Sequence, residues 1–142
     1  MTPHAADAPR TPHAPRFDFV GMVAADMAAT LAFYRRLGLD IPAEADAEPH
    51  VEVTGPGGVR LGWDTVEVIR TMYPGWELPT GEGRIGLAFL CDGPAQVDAV
   101  YAELTGAGHR GVKEPWDAFW GQRYAVVGDP DGNEVSLFAA LG

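Results

Sequence analysis

Residues Val23 to Leu39 read VAADMAATLAFYRRLGL and contain the clearest helix signal in the chain. Asp26 is the predicted N-cap, because an Asp side chain accepts hydrogen bonds from the free N–H groups of a first helical turn. A glycine, Gly38, follows a set of apolar side chains at one-turn spacing, which are Met27, Leu31, Tyr34 and Leu37. That spacing places the apolar side chains on one face, and a glycine after them is typical of a helix end. The stretch therefore predicts a helix with one buried face.

Strand-like segments lie on both sides of this helix. The segment before it, FDFVGMV (Phe17 to Val23), is apolar and β-prone, so it predicts a strand. Two short segments follow the helix, HVEVT (His50 to Thr54) and VRLGWD (Val59 to Asp64). The sequence Gly55-Pro56-Gly57-Gly58 separates them and is a strong signal for a hairpin turn. The first half therefore predicts a strand, a helix and further strands.

The second half repeats this order. RIGLAFLCD (Arg84 to Asp92) predicts a strand, and Asp92-Gly93-Pro94 predicts a helix start with Asp92 as the counterpart of Asp26. Further strands are predicted around His109 to Glu114, Gln122 to Val127 and Glu134 to Phe138, with a turn at Asp129 to Asn133. The pattern indicates two tandem βαβββ modules at residues 17–66 and 83–142, joined by a connection at 67–82.

Three segments of the chain resemble the vicinal oxygen chelate superfamily, which includes glyoxalase I, extradiol dioxygenases and bleomycin-resistance proteins. They are Val23 to Leu39, the sequence WGQRY at Trp120 to Tyr124, and the turn at Asp129 to Asn133 with the strand after it. The resemblance implies an α+β fold in which tandem βαβββ modules form curved mixed sheets around a cup-shaped cavity. It also implies a homodimer. It implies no single activity, because this fold hosts isomerases, dioxygenases, thiol transferases and binding proteins.

Composition restricts the partners of the protein. The chain has 142 residues, of which 46% are hydrophobic, enough for one compact domain over residues 17–142. Its 20 acidic and 10 basic residues give a net charge of -10. An acidic surface repels phosphate backbones and anionic lipid headgroups, so neither nucleic acid nor a membrane is an expected partner.

Cysteine content and the distribution of apolar residues indicate the same cellular location. The sequence contains one cysteine, Cys91, which cannot form an internal disulfide and suits a reducing cytoplasm. No apolar stretch is long enough for a membrane span, and the N-terminus lacks the apolar region of a signal peptide. Residues 1–16 are rich in proline and have no large apolar side chain after Met1, so they predict a disordered tail. The expected location is the cytoplasm.

The resemblance also implies where a metal would be held. In the enzymes of the superfamily, ligands come from the first and last strand of each module, and the corresponding positions here are Phe19, Leu61, Ile85 and Ser136. Phenylalanine, leucine and isoleucine cannot ligate a metal, and a lone serine is a poor ligand. We therefore expect no metal and no other cofactor. Two enzymatic alternatives stay open: a metal-dependent lyase or dioxygenase with ligands elsewhere, and a metal-free enzyme acting on a polyketide-like substrate with Tyr124, His50 or Glu52 as acid or base.

Aromatic residues concentrate in predicted loops, where core packing does not require them. Three of them lie within five residues in Glu114 to Gly121, and the Trp120-Gly121 pair matches a place where bleomycin-resistance proteins carry a tryptophan that stacks on the drug. Trp63 is equated with Phe138 in the repeat. The predicted ligand-binding residues are Phe19, His50, Trp63, Tyr73, Trp76, Trp116, Phe119, Trp120, Arg123 and Ser136.

Aromatic walls around an apolar cup are suited to a flat, hydrophobic ligand. The sequence therefore predicts a protein without catalytic activity that sequesters an aromatic antibiotic or natural product and so confers self-resistance. Compatible ligands are bleomycin-like, mitomycin-like or anthraquinone-fused enediyne compounds. The acidic residues beside the aromatics leave open whether the ligand is cationic or neutral.

Overall fold

The structure is a computed structural model that describes residues 17–79 and 85–142. The predicted disordered tail at 1–16 and the end of the predicted connection at 80–82 lie outside the described residues. The described elements are, in chain order, β1 (Phe19–Ala24), α1 (Met27–Arg36), β2 (His50–Thr54), β3 (Arg60–Thr65), α2 (Val66–Met72), β4 (Gly86–Leu90), α3 (Pro94–Gly106), β5 (Arg110–Ala118), β6 (Gln122–Gly128) and β7 (Glu134–Ala140).

The strands form two curved mixed sheets, which confirms the predicted α+β fold class. The three-stranded sheet has the order β1-β3-β2, and the four-stranded sheet has the order β4-β7-β6-β5. In each sheet the first strand pairs with the last in parallel, β1 with β3 and β4 with β7, while the other pairs are antiparallel. The two modules therefore share this parallel pairing of their first and last strands.

The first module has one strand fewer than the βαβββ pattern requires. The residues between α1 and β2 form a short 3₁₀ helix, Ala43–Ala47, instead of a strand. Its sequence AEADA contains only residue types that are depleted in strands, and Pro42 and Pro49 flank it. The predicted repeat is thus complete in the second module only.

One hydrophobic core joins the modules. Helix α1 covers the three-stranded sheet, where the Tyr34 and Trp63 rings lie 5.0 Å apart between centroids. Helix α3 covers the four-stranded sheet with buried Val97 and Leu104. Each sheet has a second face turned away from its helix, which we call the open face. None of the helices within the described residues is long and apolar enough to cross a membrane.

The register between the modules differs by one residue from the prediction. Asp26 caps α1 by accepting from the Ala29 N–H at 3.1 Å, but the N-cap of α3 is Gly93, so Asp92 is not the counterpart of Asp26. In the hairpin turns, Gly58 and Gly132 share a left-handed conformation, with φ of 86° and 88°. Gly58, and not Gly57, therefore corresponds to Gly132.

The connection between the modules contains an element that the sequence pattern did not predict. Residues Val66–Met72 form the short helix α2, which Thr65 caps through its hydroxyl by accepting from the Val68 N–H. Before this helix, β3 continues to Thr65, so that Trp63 lies within the strand. Within the described part of the connection, only residues 73–79 remain without regular structure, as predicted for the whole connection.

A buried carboxylate joins α1 to the turn between β6 and β7. Asp129 is 6% exposed and accepts hydrogen bonds from the Tyr34 hydroxyl at 2.8 Å and from the Asp131 and Asn133 N–H groups. Asp131 accepts in turn from the Thr30 hydroxyl at 2.5 Å. Burial, and then the charge of Asp129, raises the pKa of Tyr34, so its hydroxyl stays a donor at every ordinary pH. These bonds connect the first module to the second.

Replacing Tyr34 by Phe tests this connection. The variant leaves the buried Asp129 carboxylate with one donor fewer, so we expect the free energy of unfolding to fall by about 2 kcal/mol. Urea denaturation measures the change. Tyr73→Phe is the matched control, because Tyr73 is 63% exposed, and its stability should stay within about 0.5 kcal/mol of the parent. Equal stability of the two variants would contradict a structural role for the bond.

Candidate functional site

Alternation along β6 and β7 determines what lies on the open face of the four-stranded sheet. Ala125 and Leu137 are fully buried toward α3. Because successive strand residues point to opposite faces, their neighbours Tyr124 and Phe138 lie on the open face. The two rings stack there, with centroids 6.2 Å apart and an interplanar angle of 29°.

Five aromatic side chains form one continuous surface on this open face, which we call the aromatic platform. Its members are Trp116, Phe119, Trp120, Tyr124 and Phe138. Trp120 is its centre, because its ring lies 5.1 Å from that of Phe119, 5.4 Å from that of Tyr124 and 6.0 Å from that of Trp116 between centroids. All three contacts are edge-to-face, the arrangement that the charge distribution of aromatic rings favours.

Local bonding orients Trp120. Its indole N–H donates to the Gln122 side-chain oxygen at 2.8 Å. Gly121 between them has a φ of 89°, a left-handed conformation that residues with a side chain rarely adopt. Despite these contacts Trp120 is 48% exposed and Phe119 is 96% exposed. The platform therefore presents an accessible aromatic surface.

Polar groups border the platform. The Lys113 ammonium lies 4.6 Å from the centroid of the Trp116 ring, a cation–π contact. Ser136 is half-buried and lies two residues before Phe138 on β7, so both side chains point to the open face. Three of the predicted ligand residues, Trp116, Phe119 and Trp120, thus meet at one surface with Ser136 on the same face. Trp116 lies on β5 and not in a loop as predicted, because the strand continues to Ala118.

The open face of the three-stranded sheet is charged instead of aromatic. Arg60 bonds both Asp18 and Glu52. His50 lies between two carboxylates, with its Nδ1 2.5 Å from Asp64 and its Nε2 2.7 Å from Glu52. We call these five side chains the charge ladder. The ladder alternates in sign, so its members largely neutralise one another.

The charge ladder determines the protonation of His50. Hydrogen bonds to Glu52 and then Asp64 raise the pKa of His50 above its ordinary value of 6.5. Hydrogen bonding to His50 holds the pKa of Glu52 below its usual range. With both ring nitrogens engaged, His50 cannot exchange a proton with a substrate until one of these bonds breaks.

The corrected register places the superfamily's metal positions at Phe19, Gly62, Gly86 and Ser136. Phe19 on β1 lies opposite Arg60 on β3, and Gly86 on β4 lies opposite Glu134 on β7. Phe19 therefore corresponds to Gly86, which replaces Ile85. Arg60 likewise corresponds to Glu134, so Gly62 replaces Leu61 as the counterpart of Ser136. Leu61 is a core residue, 9% exposed, and Ile85 precedes β4 and is 79% exposed. Three of the four positions have no donor atom in the side chain.

The packing of Phe19 gives a second reason why a metal does not fit there. Its ring lies over Gly62, so that a Cβ at position 62 would collide with it. Arg60 stacks on the same ring, with its guanidinium 4.9 Å from the ring centroid. The ring occupies the space that a ligating side chain at position 62 would need. Within residues 17–79 and 85–142, no group of three or more His, Cys, Asp or Glu has the arrangement of a metal site.

Two predicted ligand residues lie away from either open face. Trp63 is fully buried against Tyr34, and the corrected register equates it with the buried Leu137 and not with Phe138. Arg123 points toward α3, where it bonds Asp98 at 2.9 Å and also Asp117 at 3.0 Å. Trp63 packs the core and Arg123 is held in ion pairs, so the structure does not bring either side chain to the platform, and ligand contact by either one stays a prediction.

Tyr73 and Trp76 lie in the segment after α2, where Tyr73 is exposed and Trp76 is half-buried. The backbone N–H of Trp76 donates to the Tyr73 carbonyl, and the backbone carbonyl of Trp76 accepts from the Arg70 guanidinium. Neither ring is in contact with an aromatic ring of the platform in the part of the chain that the structure describes. The structure therefore does not bring these two residues to the same site as Trp120.

Tyr124 and Phe138 belong to the platform but are not among the predicted ligand residues. The signal that identifies them is their place next to small or apolar buried residues, since Tyr124 precedes Ala125 and Phe138 separates Leu137 from Ala139. Strict alternation of this kind predicts an aromatic residue on the face opposite the core. From the sequence, Tyr124 is a candidate only for the role of acid or base.

A cavity of about 730 Å³ lies away from the platform. It occurs where α1 meets the turns before β5 and β7, and its lining includes Ala29, His109, Arg110 and Asp129. Burial, and then the nearby Arg36 charge, lowers the pKa of His109, so its ring is neutral at pH 7. The cavity belongs to the junction of the modules and contains none of the predicted ligand residues.

Comparisons with known proteins agree with this architecture. The family model described as the Glyoxalase/Bleomycin resistance protein/Dioxygenase superfamily matches residues 16–137. A glyoxalase/bleomycin resistance protein/dioxygenase family enzyme from Burkholderia phytofirmans PsJN superposes with a TM-score of 0.75 at 22% identity, over 87% of this chain and 98% of that one. A glyoxalase/bleomycin resistance protein/dioxygenase from Nocardioides has a TM-score of 0.68 at 26% identity, over 92% and 87%. No curated protein matches the chain.

An NMR titration of the histidines tests the charge ladder. We expect His50 to titrate above 6.5 and His109 below it, and Glu52→Gln to lower the pKa of His50 without moving that of His109. Because the folded state raises the pKa of His50, its stabilising contribution is complete below about pH 6.5 and is lost as the pH rises through the raised value. A His50 pKa at or below 6.5 would show that the ladder does not form.

Proposed function

Because the chain belongs to the glyoxalase/bleomycin resistance protein/dioxygenase superfamily, we propose that it binds a flat aromatic natural product on the aromatic platform and holds it without chemical change. In a producing or exposed cell, sequestration of such a compound would confer resistance to it. The observation that carries the proposal is the exposed, centrally placed Trp120 among four other aromatic rings.

The physical case for a ligand begins with the exposed area. Proteins rarely expose a contiguous apolar patch without a partner for it, and such patches mark interaction sites. Aromatic rings gain about 0.5 to 1.5 kcal/mol per pair from stacking in addition to the burial of their area. A planar ligand on Trp120 would gain from both. Two interactions hold this surface in place before binding. Trp120 donates a hydrogen bond to Gln122, and its ring is in edge-to-face contact with that of Phe119.

The chemistry of the other side chains supports binding over catalysis. Three of the four metal positions of the superfamily are occupied by Phe19 and two glycines, which have no ligating atom in the side chain, and the fourth is Ser136. Both nitrogens of His50 are bonded to carboxylates. Burial raises the pKa of Cys91, which disfavours the reactive thiolate. We therefore infer that none of these groups acts on a bound ligand.

We also propose that the functional form is a homodimer. Leu90, at the end of the edge strand β4, is 73% exposed, and Ile85, directly before this strand, is 79% exposed. Burial of both side chains against a second copy would remove apolar surface from water. Sedimentation velocity over a concentration series tests this. A mass of one chain at every concentration would contradict it.

Substitution of Trp120 tests the proposed function. The purified protein is titrated with bleomycin, mitomycin C and 1,2-dihydroxyanthraquinone, and binding is measured by calorimetry. We expect at least one compound to bind with a submicromolar Kd, Trp120→Ala to weaken that binding about tenfold or more, and Trp76→Ala to change it less than about twofold. The bound compound should be recovered intact. A recovered product would show an enzyme, and equal losses in the two variants would exclude the platform as the site.

A further inference from the structure

The polar groups that border the platform can all donate hydrogen bonds. The Lys113 ammonium over the Trp116 ring makes no ion pair with any residue that the structure describes. The Gln122 oxygen already accepts from Trp120, which leaves its amide N–H groups free to donate. The Tyr124 and Ser136 hydroxyls are available on the same face. A ligand on this surface therefore meets one positive charge and several donors.

Asp117, which follows Trp116 in sequence, does not face the platform. It is bonded to Arg123 at 3.0 Å on the side of α3. Arg123 is in turn paired with Asp98, so Asp117 is held in an ion-pair cluster behind the sheet. The net charge of -10 belongs to the whole chain, and salt at physiological strength screens exposed charges over about 8 Å. The Lys113 ammonium, which lies over the Trp116 ring, is the charge that a ligand stacked there would contact.

We propose that the ligand is an oxygen-rich aromatic ring system of the hydroxyquinone class, which stacks on Trp120 and places a carbonyl or phenolate oxygen against the Lys113 ammonium. This inference rests on the proposed function and specifies its ligand. A quinone carbonyl and its neighbouring phenol accept at the edge of the ring plane, which matches donors at the border of an aromatic surface. A cationic planar compound would bring its charge toward Lys113 and lose affinity by repulsion.

Two planar tricyclic dyes of similar size test this proposal, one rich in oxygen acceptors and the other a cation. The full chain is dialysed to equilibrium against 1,2-dihydroxyanthraquinone and, separately, against proflavine, a cation, at pH 7.5 and physiological salt. We expect the quinone to bind at least about tenfold more tightly than proflavine. Lys113→Met should weaken quinone binding about tenfold and leave proflavine binding the same or tighter. Glu114→Gln, the adjacent change of opposite charge, is the control and should change quinone affinity by less than about twofold.

The outcomes separate this proposal from the one on which it rests. If both dyes bind equally and Trp120→Ala weakens both, the platform is a ligand site but the ligand class is wrong. If Lys113→Met leaves quinone affinity unchanged, the assigned role of Lys113 is wrong. If neither dye binds the parent protein, both the hydroxyquinone class and aromatic binding at the platform are overturned.

Discussion

The carboxylate of Asp129 is the interaction on which the arrangement of the two modules depends. It is buried where the turn between β6 and β7 meets α1, and its two oxygens accept from the Tyr34 hydroxyl, two backbone N–H groups and the Asn133 amide. A buried charge is tolerated only when donors surround it in this way. The bonds shape the turn, connect it to the first module and fix where β7 begins. The positions of Ser136 and Phe138 on the open face follow from that starting point.

The open faces of the two sheets have different chemistry, although both modules pair their first and last strands in parallel. In the second module, Tyr124 and Phe138 extend an aromatic surface that continues through Trp120. In the first module, the corresponding face has paired charges and the Phe19 ring packed over Gly62. Exposed ion pairs of this kind add little to stability, so the charge ladder serves mainly to keep that face polar. The candidate ligand surface therefore belongs to one module, and three of the superfamily's four metal positions lack a ligating side chain.

Local sequence signals predicted the helices and strands well where periodicity and turn chemistry agreed. The α1 cap at Asp26 and the strand His50–Thr54 are present as predicted. The errors arose from one-residue ambiguities: equating Gly57 with Gly132 moved Trp63 from the core to the open face, because a shift of one residue exchanges the faces of a strand. Which of two adjacent glycines adopts the left-handed conformation cannot be read from composition alone. The pairing of Arg123 with Asp98 joins β6 to α3 across 25 residues, and no local pattern predicts such a contact.

The four tryptophans provide the most direct test of where a ligand binds. Each has one indole N–H signal in a ¹H–¹⁵N NMR spectrum, and variants such as Trp76→Phe assign the signals. Titration with 1,2-dihydroxyanthraquinone should shift the signals of Trp116 and Trp120 and leave those of the buried Trp63 and of Trp76 in place. Shifts confined to Trp63 or Trp76, or no shift at saturating ligand, would contradict a ligand-binding aromatic platform.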